Sequence, residues 1–220
     1  MRKNLLKQLI LALLMTVAVP YAKSQVAHVG DILCTSGVYV SPAEYEASGL
    51  EAMGVIFYVD ATGQHGWAVA LEDAGNLKWA TNTYDIPIDN YSSVRAAIYD
   101  LNGLFNTQEV LNYGLNNNCS FPAFEAVDVA NGWYVPAIGQ LNYLYGNLVE
   151  INASLIVCGG VAFEMSTNWR CWSSTEYNGG YAWWMNSTGE LVTFATNTSS
   201  YGSYDSAKSC QYKVRAIRNF

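Results

Sequence analysis

The sequence predicts an α+β fold, because strand-like and helix-like patterns occupy separate stretches of the chain. Strand patterns come first, helical spacing follows in the middle, and aromatic and polar residues alternate through the last third. No linker rich in proline, glycine or serine divides the sequence, and no solenoid-type repeat is present. We therefore expect one domain over residues 25–220, with antiparallel strands and two or more helices in the middle.

The first predicted element is a β-hairpin over residues 55–71. Residues 55–59 are apolar, β-branched or aromatic, and a second apolar run covers residues 67–71. Between them, residues 60–66 have the composition of a turn. Because both runs are almost continuously apolar, we expect both strands to be buried on two faces.

Three stretches in the middle have helical spacing. In the first, the apolar positions are Val94, Ala97, Ile98 and Leu101, and in the second they are Phe124, Val127 and Ala130. In the third, they are Leu141, Leu144, Tyr145 and Leu148. Ile151 and Leu155 continue the third stretch towards Gly159 and Gly160. Ser92 and Ser93 are candidate caps of the first helix, and Gly103 is its predicted end. Ser120 is the candidate cap of the second helix.

From Trp169 onwards the helical period disappears. Residues 172–189 predict strand, turn, strand and turn, residues 191–195 predict a further strand, and residues 196–209 a polar loop. Residues 212–217 alternate regularly and predict a closing strand. We expect this strand to pair near the opening one, so that the N- and C-terminal strands lie close together.

The first residues have the features of a secretory signal peptide. Cationic residues precede an apolar run over residues 9–19, and Ala22 and Ser24 supply the small side chains that signal peptidase recognises. The run is too short to span a bilayer, and no later stretch is long and apolar enough to do so. We expect residues 1–24 to be removed and the protein to be secreted or held in the cell envelope. A retained N-terminal anchor is the alternative.

The acidic net charge of the chain limits the classes of partner that it is expected to bind. Cleavage after Ser24 would remove four cationic residues and no acidic one, so the formal charge would change from −7 to −11. An acidic domain repels phosphate backbones, so a nucleic acid is not expected as a partner. No basic amphipathic helix of the kind that binds membrane surfaces is present.

Few residues could support catalysis. The two histidines are His28 and His65, and the sequence contains no nucleophile elbow and no phosphate-binding loop. His65 lies in the predicted turn, where a surface or structural role is the simplest interpretation. Asp85 and Asp89 could bind calcium through oxygen atoms, but two acids alone are more typical of a solvated loop. We expect no enzymatic activity, no cofactor and no metal site.

The cysteines leave several alternatives open. They are Cys34, Cys119, Cys158, Cys171 and Cys210. Five cysteines permit two disulfides and one free thiol, or fewer disulfides, and some can simply be small buried residues. No C-x-x-C spacing occurs, so neither a zinc site nor a thioredoxin-type motif is indicated.

Several segments, in their order, resemble bacterial C-type-lectin-like domains. They are Gly30-Asp31-Ile32-Leu33, residues 54–60 with 63–71, Gly132-Trp133-Tyr134-Val135-Pro136-Ala137, Trp172-Ser173-Ser174-Thr175-Glu176, and Val214-Arg215-Ala216-Ile217-Arg218-Asn219-Phe220. That family is marked by a G-W-x-x-P helix start, a W-S-S-T-E strand and a V-R-A-x-R terminus. The resemblance implies a compact α+β fold with paired terminal strands. It also implies a distant similarity to formylglycine-generating enzymes and to the variable proteins of diversity-generating retroelements, some of which display ligand-binding residues on the last two motifs.

The sequence also departs from these relatives. The E-P-N, Q-P-D and W-N-D motifs that hold calcium in sugar-binding lectins do not occur, so recognition is expected to be calcium-independent. Cys171 directly precedes W-S-S-T-E and does not match the cysteine motif of the formylglycine-generating branch, so that activity does not carry over. Gln140 stands where the family pattern commonly has an acidic residue.

The predicted ligand-binding face follows the W-S-S-T-E motif. Tyrosine and tryptophan supply rigid contact area, and asparagine supplies hydrogen bonds. The candidate residues are Tyr177, Asn178, Tyr181, Trp184, Asn186, Asn197, Tyr201 and Tyr204. Alternation places Trp183 and Trp184 on opposite faces of a strand, so we expect Trp172 and Trp183 in the core and Trp184 at least partly exposed. The alternatives are that both neighbouring tryptophans are buried, and that these aromatic residues only cover their own core.

These features favour a secreted or surface-displayed module that binds an unknown protein or glycan ligand in adhesion or recognition. A structural component of a surface assembly such as a pilus is the alternative, and a thiol-dependent enzyme is a further one. An exposed aromatic and polar face would favour the first, an unpaired edge strand or donor segment the second, and a cysteine of lowered pKa in a cleft the third.

Overall fold

The computed structural model describes residues 26–166, 168–186 and 205–220. The strands in these ranges are β1 (Ile32–Cys34), β2 (Tyr39–Val40), β3 (Ala52–Val59), β4 (Gly66–Ala70), β5 (Gly75–Lys78), β6 (Trp133–Tyr134), β7 (Arg170–Asn178), β8 (Tyr181–Asn186), β9 (Asp205–Ala207), β10 (Gln211–Val214) and β11 (Ile217–Asn219). The helices are α1 (Pro42–Ser48), α2 (Val94–Ala97), α3 (Gly103–Asn117), α4 (Pro122–Glu125), α5 (Ile138–Gly146) and α6 (Leu148–Val157), with a 3-10 turn at Val129–Asn131. The predicted signal peptide and the predicted strand at 191–195 lie outside the described residues.

The strands form two sheets. The first has the order β2-β1-β3-β4-β11-β6 and the second the order β5-β10-β7-β8-β9. Neighbouring strands are antiparallel except β10 and β7, which are parallel. The α+β class is thereby confirmed. None of the helices in the described part of the chain is long and apolar enough to cross a membrane.

The predicted hairpin is formed by β3 and β4, and it is buried on both faces. Val55, Phe57 and Val69 belong to the core that lies against α5 and α6. Ile56 and Ala68 point to the other side, into a small cluster that includes Leu33. The prediction that both strands are buried on two faces is therefore confirmed.

The third helical stretch is also confirmed. Its apolar residues Leu141, Leu144, Ile151 and Leu155 are fully buried in the core under the first sheet. The stretch is divided at Asn147, where α5 ends and α6 begins. Burial of this apolar face, rather than helix propensity alone, stabilises such short helices.

The first helical stretch differs from the prediction at its end. Ser93 caps α2 as expected, since its hydroxyl accepts a hydrogen bond from the Ala96 N–H. Gly103, however, begins α3 instead of ending α2, so the predicted stop is wrong. A Cβ atom on Gly103 would lie 2.7 Å from the Ala137 nitrogen and 2.9 Å from the Val135 carbonyl oxygen. Glycine is needed there because two backbone segments approach closely.

The predicted cap of the second helix is also wrong. Phe121, not Ser120, precedes the first turn of α4, which begins at Pro122. The Ser120 hydroxyl instead donates to the Glu125 carboxylate, which also accepts from the Phe121 N–H at 2.7 Å. The acid at the end of the turn therefore satisfies the free N–H that a serine cap would otherwise satisfy.

The predicted closing strand is two strands in two sheets. β10 lies between β5 and β7 in the second sheet, and β11 lies between β4 and β6 in the first. The change occurs at Arg215, which is fully buried; its Nε donates to Asp73 Oδ1 at 2.6 Å and its Nη1 to the carbonyl oxygen of Val161. An alternating pattern gives the faces of a strand but not the sheet that each half joins.

The expected pairing of the terminal strands is therefore wrong in detail. β11 pairs with β4 and β6, and β3 and β4 lie between it and β1. Both terminal strands nevertheless belong to one sheet, and the Phe220 ring centroid lies 5.7 Å from that of Tyr39 in β2.

Candidate functional site

The W-S-S-T-E segment of β7 carries polar side chains, but these lie inside the protein and not on its surface. Ser173, Ser174, Thr175 and Glu176 are all fully buried. The Ser173 hydroxyl donates to the Trp183 carbonyl oxygen at 2.8 Å, and the Ser173 carbonyl oxygen accepts from Trp79 Nε1 at 2.8 Å. Buried polar groups must find such partners, and here the partners come from several elements.

Asp100 connects this strand to the helices. Its carboxylate accepts hydrogen bonds from the Thr175 hydroxyl at 2.7 Å, the Asn106 side-chain amide at 2.9 Å and the Asn102 N–H at 2.9 Å. The Thr175 hydroxyl in turn accepts from the Ile138 N–H at the start of α5. The network fixes α3 and α5 against β7, because each donor would be unsatisfied if the carboxylate moved.

Glu176 forms a buried ion pair with Lys208, which lies in the turn between β9 and β10. The exposed fractions of the two side chains are 0% and 1%. The Lys208 Nζ also donates to the Tyr84 carbonyl oxygen at 2.6 Å and lies 4.4 Å from the Trp79 ring centroid. Burial raises the pKa of Glu176 to about 7 and lowers the pKa of Lys208, because it disfavours both charges.

Gln140 has a local structural role. Its side-chain oxygen accepts from the Ala137 N–H at 2.9 Å, and its amide donates to the Tyr134 hydroxyl at 3.2 Å. It therefore satisfies a free N–H at the start of α5, as an acidic residue there would also do.

The predicted ligand-binding residues lie at two separate places. Tyr177, Asn178 and Tyr181 lie at the turn of the β7–β8 hairpin, whereas Asn186 is paired with Arg170 at its open end. Those ends are about 27 Å apart, at about 3.4 Å per residue along β7. Trp184 lies in β8 between these two ends, and Asn197, Tyr201 and Tyr204 lie outside the described residues.

The hairpin turn presents aromatic and amide groups to solvent. Tyr181 is 45% exposed and Asn178 is exposed, while Tyr177 is half-buried. The rings of Tyr177 and Tyr181 meet edge to face with centroids 6.5 Å apart. The Asn178 side-chain oxygen accepts from the N–H groups of Gly180 and Tyr181, which fixes the turn.

Trp184 is buried, so the prediction of partial exposure is wrong. It is 5% exposed, compared with 0% for Trp172 and 3% for Trp183, which are core residues as expected. Alternation did place Trp183 and Trp184 in different clusters. The face of Trp184 is also covered, since the Tyr212 ring centroid lies 5.5 Å from that of Trp184.

An open pocket of about 400 Å³ lies at the open end of the hairpin. Its lining residues are Asn76, Glu164, Asn168, Trp169, Arg170, Gln211, Tyr212 and Lys213. The Arg170 guanidinium lies 4.7 Å above the Trp184 ring, and its Nη1 donates to the Tyr212 hydroxyl at 3.1 Å. The aromatic, amide and cationic groups suit a polar ligand that stacks on a ring. No sequence signal indicated this pocket, because the pairing of β5 with β10 assembles it from distant segments.

Three of the thiols have a raised pKa, which is the opposite of what activation requires. All five cysteines are free. Burial raises the pKa of Cys34 and Cys158, and raises that of Cys171 to about 12. A thiol with a raised pKa is a poor nucleophile at neutral pH. Among the described residues, no group of three or more histidine, cysteine or acidic side chains is placed to hold a metal ion.

Comparison with known proteins bears on the fold. No protein-family model and no curated protein sequence matches the chain. Among solved structures, the chain is similar to a fimbrial protein from Bacteroides ovatus, with a TM-score of 0.66 and 19% sequence identity. The similarity covers 88% of this chain and 49% of that protein, so the chain spans about half of that protein's length.

Proposed function

We propose that this chain is a structural domain of a cell-surface assembly of the fimbrial type. The single observation that carries the proposal is the likeness of its fold, over 88% of the chain, to a fimbrial protein. A structural subunit of such an assembly also needs firmly joined sheets. The Arg215–Asp73 pair provides such a joint, because it lies where the chain passes from the second sheet to the first.

Export through a cleaved signal peptide belongs to the same proposal, and so does membership of the C-type-lectin-like family. Support for export comes from the cationic and apolar pattern of residues 1–24. Support for the family comes from the W-S-S-T-E and V-R-A-x-R motifs.

Localisation tests the proposed assembly role. Intact cells of the source organism are labelled with an antibody against the chain, and filaments sheared from the cells are probed with the same antibody. We expect label on the outer surface and the chain in the sheared fraction, with an N-terminus at Gln25. Label that needs permeabilised cells would contradict the proposal, and a matched deletion strain controls for antibody specificity.

Ligand recognition is the second candidate function, and two surfaces of the chain favour it. One is the hairpin turn with Tyr181 and Asn178 exposed; the other is the pocket beside Arg170. Either would bind a protein or glycan without calcium and without catalysis. The thiols of raised pKa agree with a non-enzymatic role.

Single substitutions separate the two surfaces. Tyr181→Ala changes the turn and Arg170→Ala changes the pocket, about 27 Å away along β7. Each variant is tested on glycan and surface-protein arrays beside the unmodified chain, with EDTA present. A loss of at least about tenfold in one variant alone, or about 1.4 kcal/mol, would locate the site. If both variants bind as strongly as the unmodified chain, both surfaces are excluded.

A further inference from the structure

The Glu176–Lys208 pair brings an amine and a carboxyl group into contact inside the protein. Lys208 Nζ contacts Glu176 Oε1, and both side chains are essentially inaccessible to solvent. The groups come from β7 and from the turn between β9 and β10, which are distant in sequence. Trp79 covers the amine on one side, and the Tyr84 carbonyl oxygen holds it on another.

The surroundings weaken the charged forms of both groups. Two buried charges lose their hydration, and only part of that loss is recovered by their mutual attraction. Burial accordingly acts on the pKa values of Glu176 and Lys208 in opposite directions, towards each other. Transfer of one proton from the ammonium to the carboxylate therefore produces a neutral amine beside a neutral acid. The Glu176 Oε2 atom is buried and has no hydrogen-bond partner in the structure.

We propose that Lys208 and Glu176 are the site of an intramolecular amide bond between Nζ and Cδ. The amine lone pair attacks Cδ, a second proton passes from Nζ to the departing oxygen, and one water leaves. The balance is one ammonium and one carboxylate giving one amide and one water, with no oxidant or other reactant. The single N–H that remains on the nitrogen can donate to the Tyr84 carbonyl oxygen, which Nζ already contacts.

Formation of the amide removes the unfavourable features of this site. It replaces two buried charges by one neutral group. The product covalently joins β7 to the segment that leads into β10. The proposal does not depend on the fimbrial role.

Mass spectrometry of the purified full chain tests the proposal. We expect an intact mass lower by one water than the sequence requires, and a branched tryptic peptide that contains Glu176 and uncleaved Lys208. The variant Lys208→Arg should recover the full mass, because a guanidinium does not acylate under these conditions. The matched control Lys213→Arg, whose lysine pairs with Asp73 at 3.2 Å and is 42% exposed, should keep the deficit.

The unmodified chain alone suffices to overturn the proposal. A full sequence mass, with trypsin cleaving after Lys208, would show that only an ion pair is present, even if Lys208→Arg does not fold. Full conversion also predicts that the denatured chain migrates faster on a gel than Lys208→Arg, because residues 176–208 stay closed in a loop. This readout is independent of localisation, so it can fail while the proposed function stands.

Discussion

Two adjoining parts of the β7–β8 hairpin both carry hydrogen-bonding side chains and have opposite surroundings. Residues 173–176 are polar, fully buried and bonded to partners from several elements. Residues 178–181 form the turn, where Asn178 and Tyr181 are exposed. Composition alone therefore does not distinguish a recognition surface from a polar core. What decides is whether other elements cover the strand at that point.

The largest expected effect concerns the buried tryptophans of the β7–β8 hairpin. Trp184→Ala and Trp172→Ala should each lower the free energy of unfolding by about 3–5 kcal/mol, because each leaves a large cavity. Urea denaturation measures the loss. Tyr99→Ala, at a side chain that is 73% exposed, is the matched control and should have little effect. If Trp184→Ala lowered the free energy of unfolding by less than about 1 kcal/mol, the Trp184 side chain would be exposed and not buried.

A smaller effect is expected in the Asp100 network. Thr175→Val keeps the side-chain shape but removes the hydroxyl that donates to Asp100 and accepts from the Ile138 N–H. We expect a loss of about 1–3 kcal/mol from the buried groups left without partners. Thr62→Val, at an exposed turn, is the control for the substitution itself. Equal effects at the two threonines would argue against a cooperative network.

The exposed turn at residues 178–181 should tolerate substitution. Tyr181→Ala is expected to alter the free energy of unfolding by less than about 0.5 kcal/mol, because nearly half of the side chain faces solvent. Thermal or urea unfolding measures this. A loss comparable to that of Trp184→Ala would show that the turn belongs to the core, and the proposed ligand role of Tyr181 would then lose its basis.

Thiol labelling sharpens the same comparison without changing stability. Cys171 begins the buried part of β7, and burial raises its pKa to about 12, so it is protonated at neutral pH. Iodoacetamide should label the half-buried Cys210 in the folded protein while leaving Cys171 unlabelled. Peptide mapping after denaturation gives both yields. Equal labelling at early times would indicate that β7 opens readily.

Local patterns were sufficient for much of this fold. The β3–β4 and β7–β8 hairpins and the helical stretch from Leu141 to Leu155 follow from apolar spacing and turn residues, which act over a few positions. The α1 helix was also accessible, since Ser41 and Glu44 form a capping box immediately around Pro42. No helix was predicted at residues 42–48.

Other features depend on contacts that no local pattern contains. The longest helix in the described ranges, α3, was not predicted because two of its buried residues, Asn106 and Thr107, are polar and bond to distant groups. The break at Arg215 depends on Asp73, which lies far away in the sequence. Alternation placed Trp184 on the correct face, but only the packed structure shows that Tyr212 covers that face.

The passage of residues 211–219 through both sheets has a consequence for biosynthesis. β10 and β11 each lie beside an edge strand, so β5 and β6 have no neighbouring strand until the ribosome has made that segment. A nascent chain that ends earlier also lacks Arg215, the partner of Asp73. These edge pairings are long-range in sequence, so they are completed only when the last part of the chain has been synthesised.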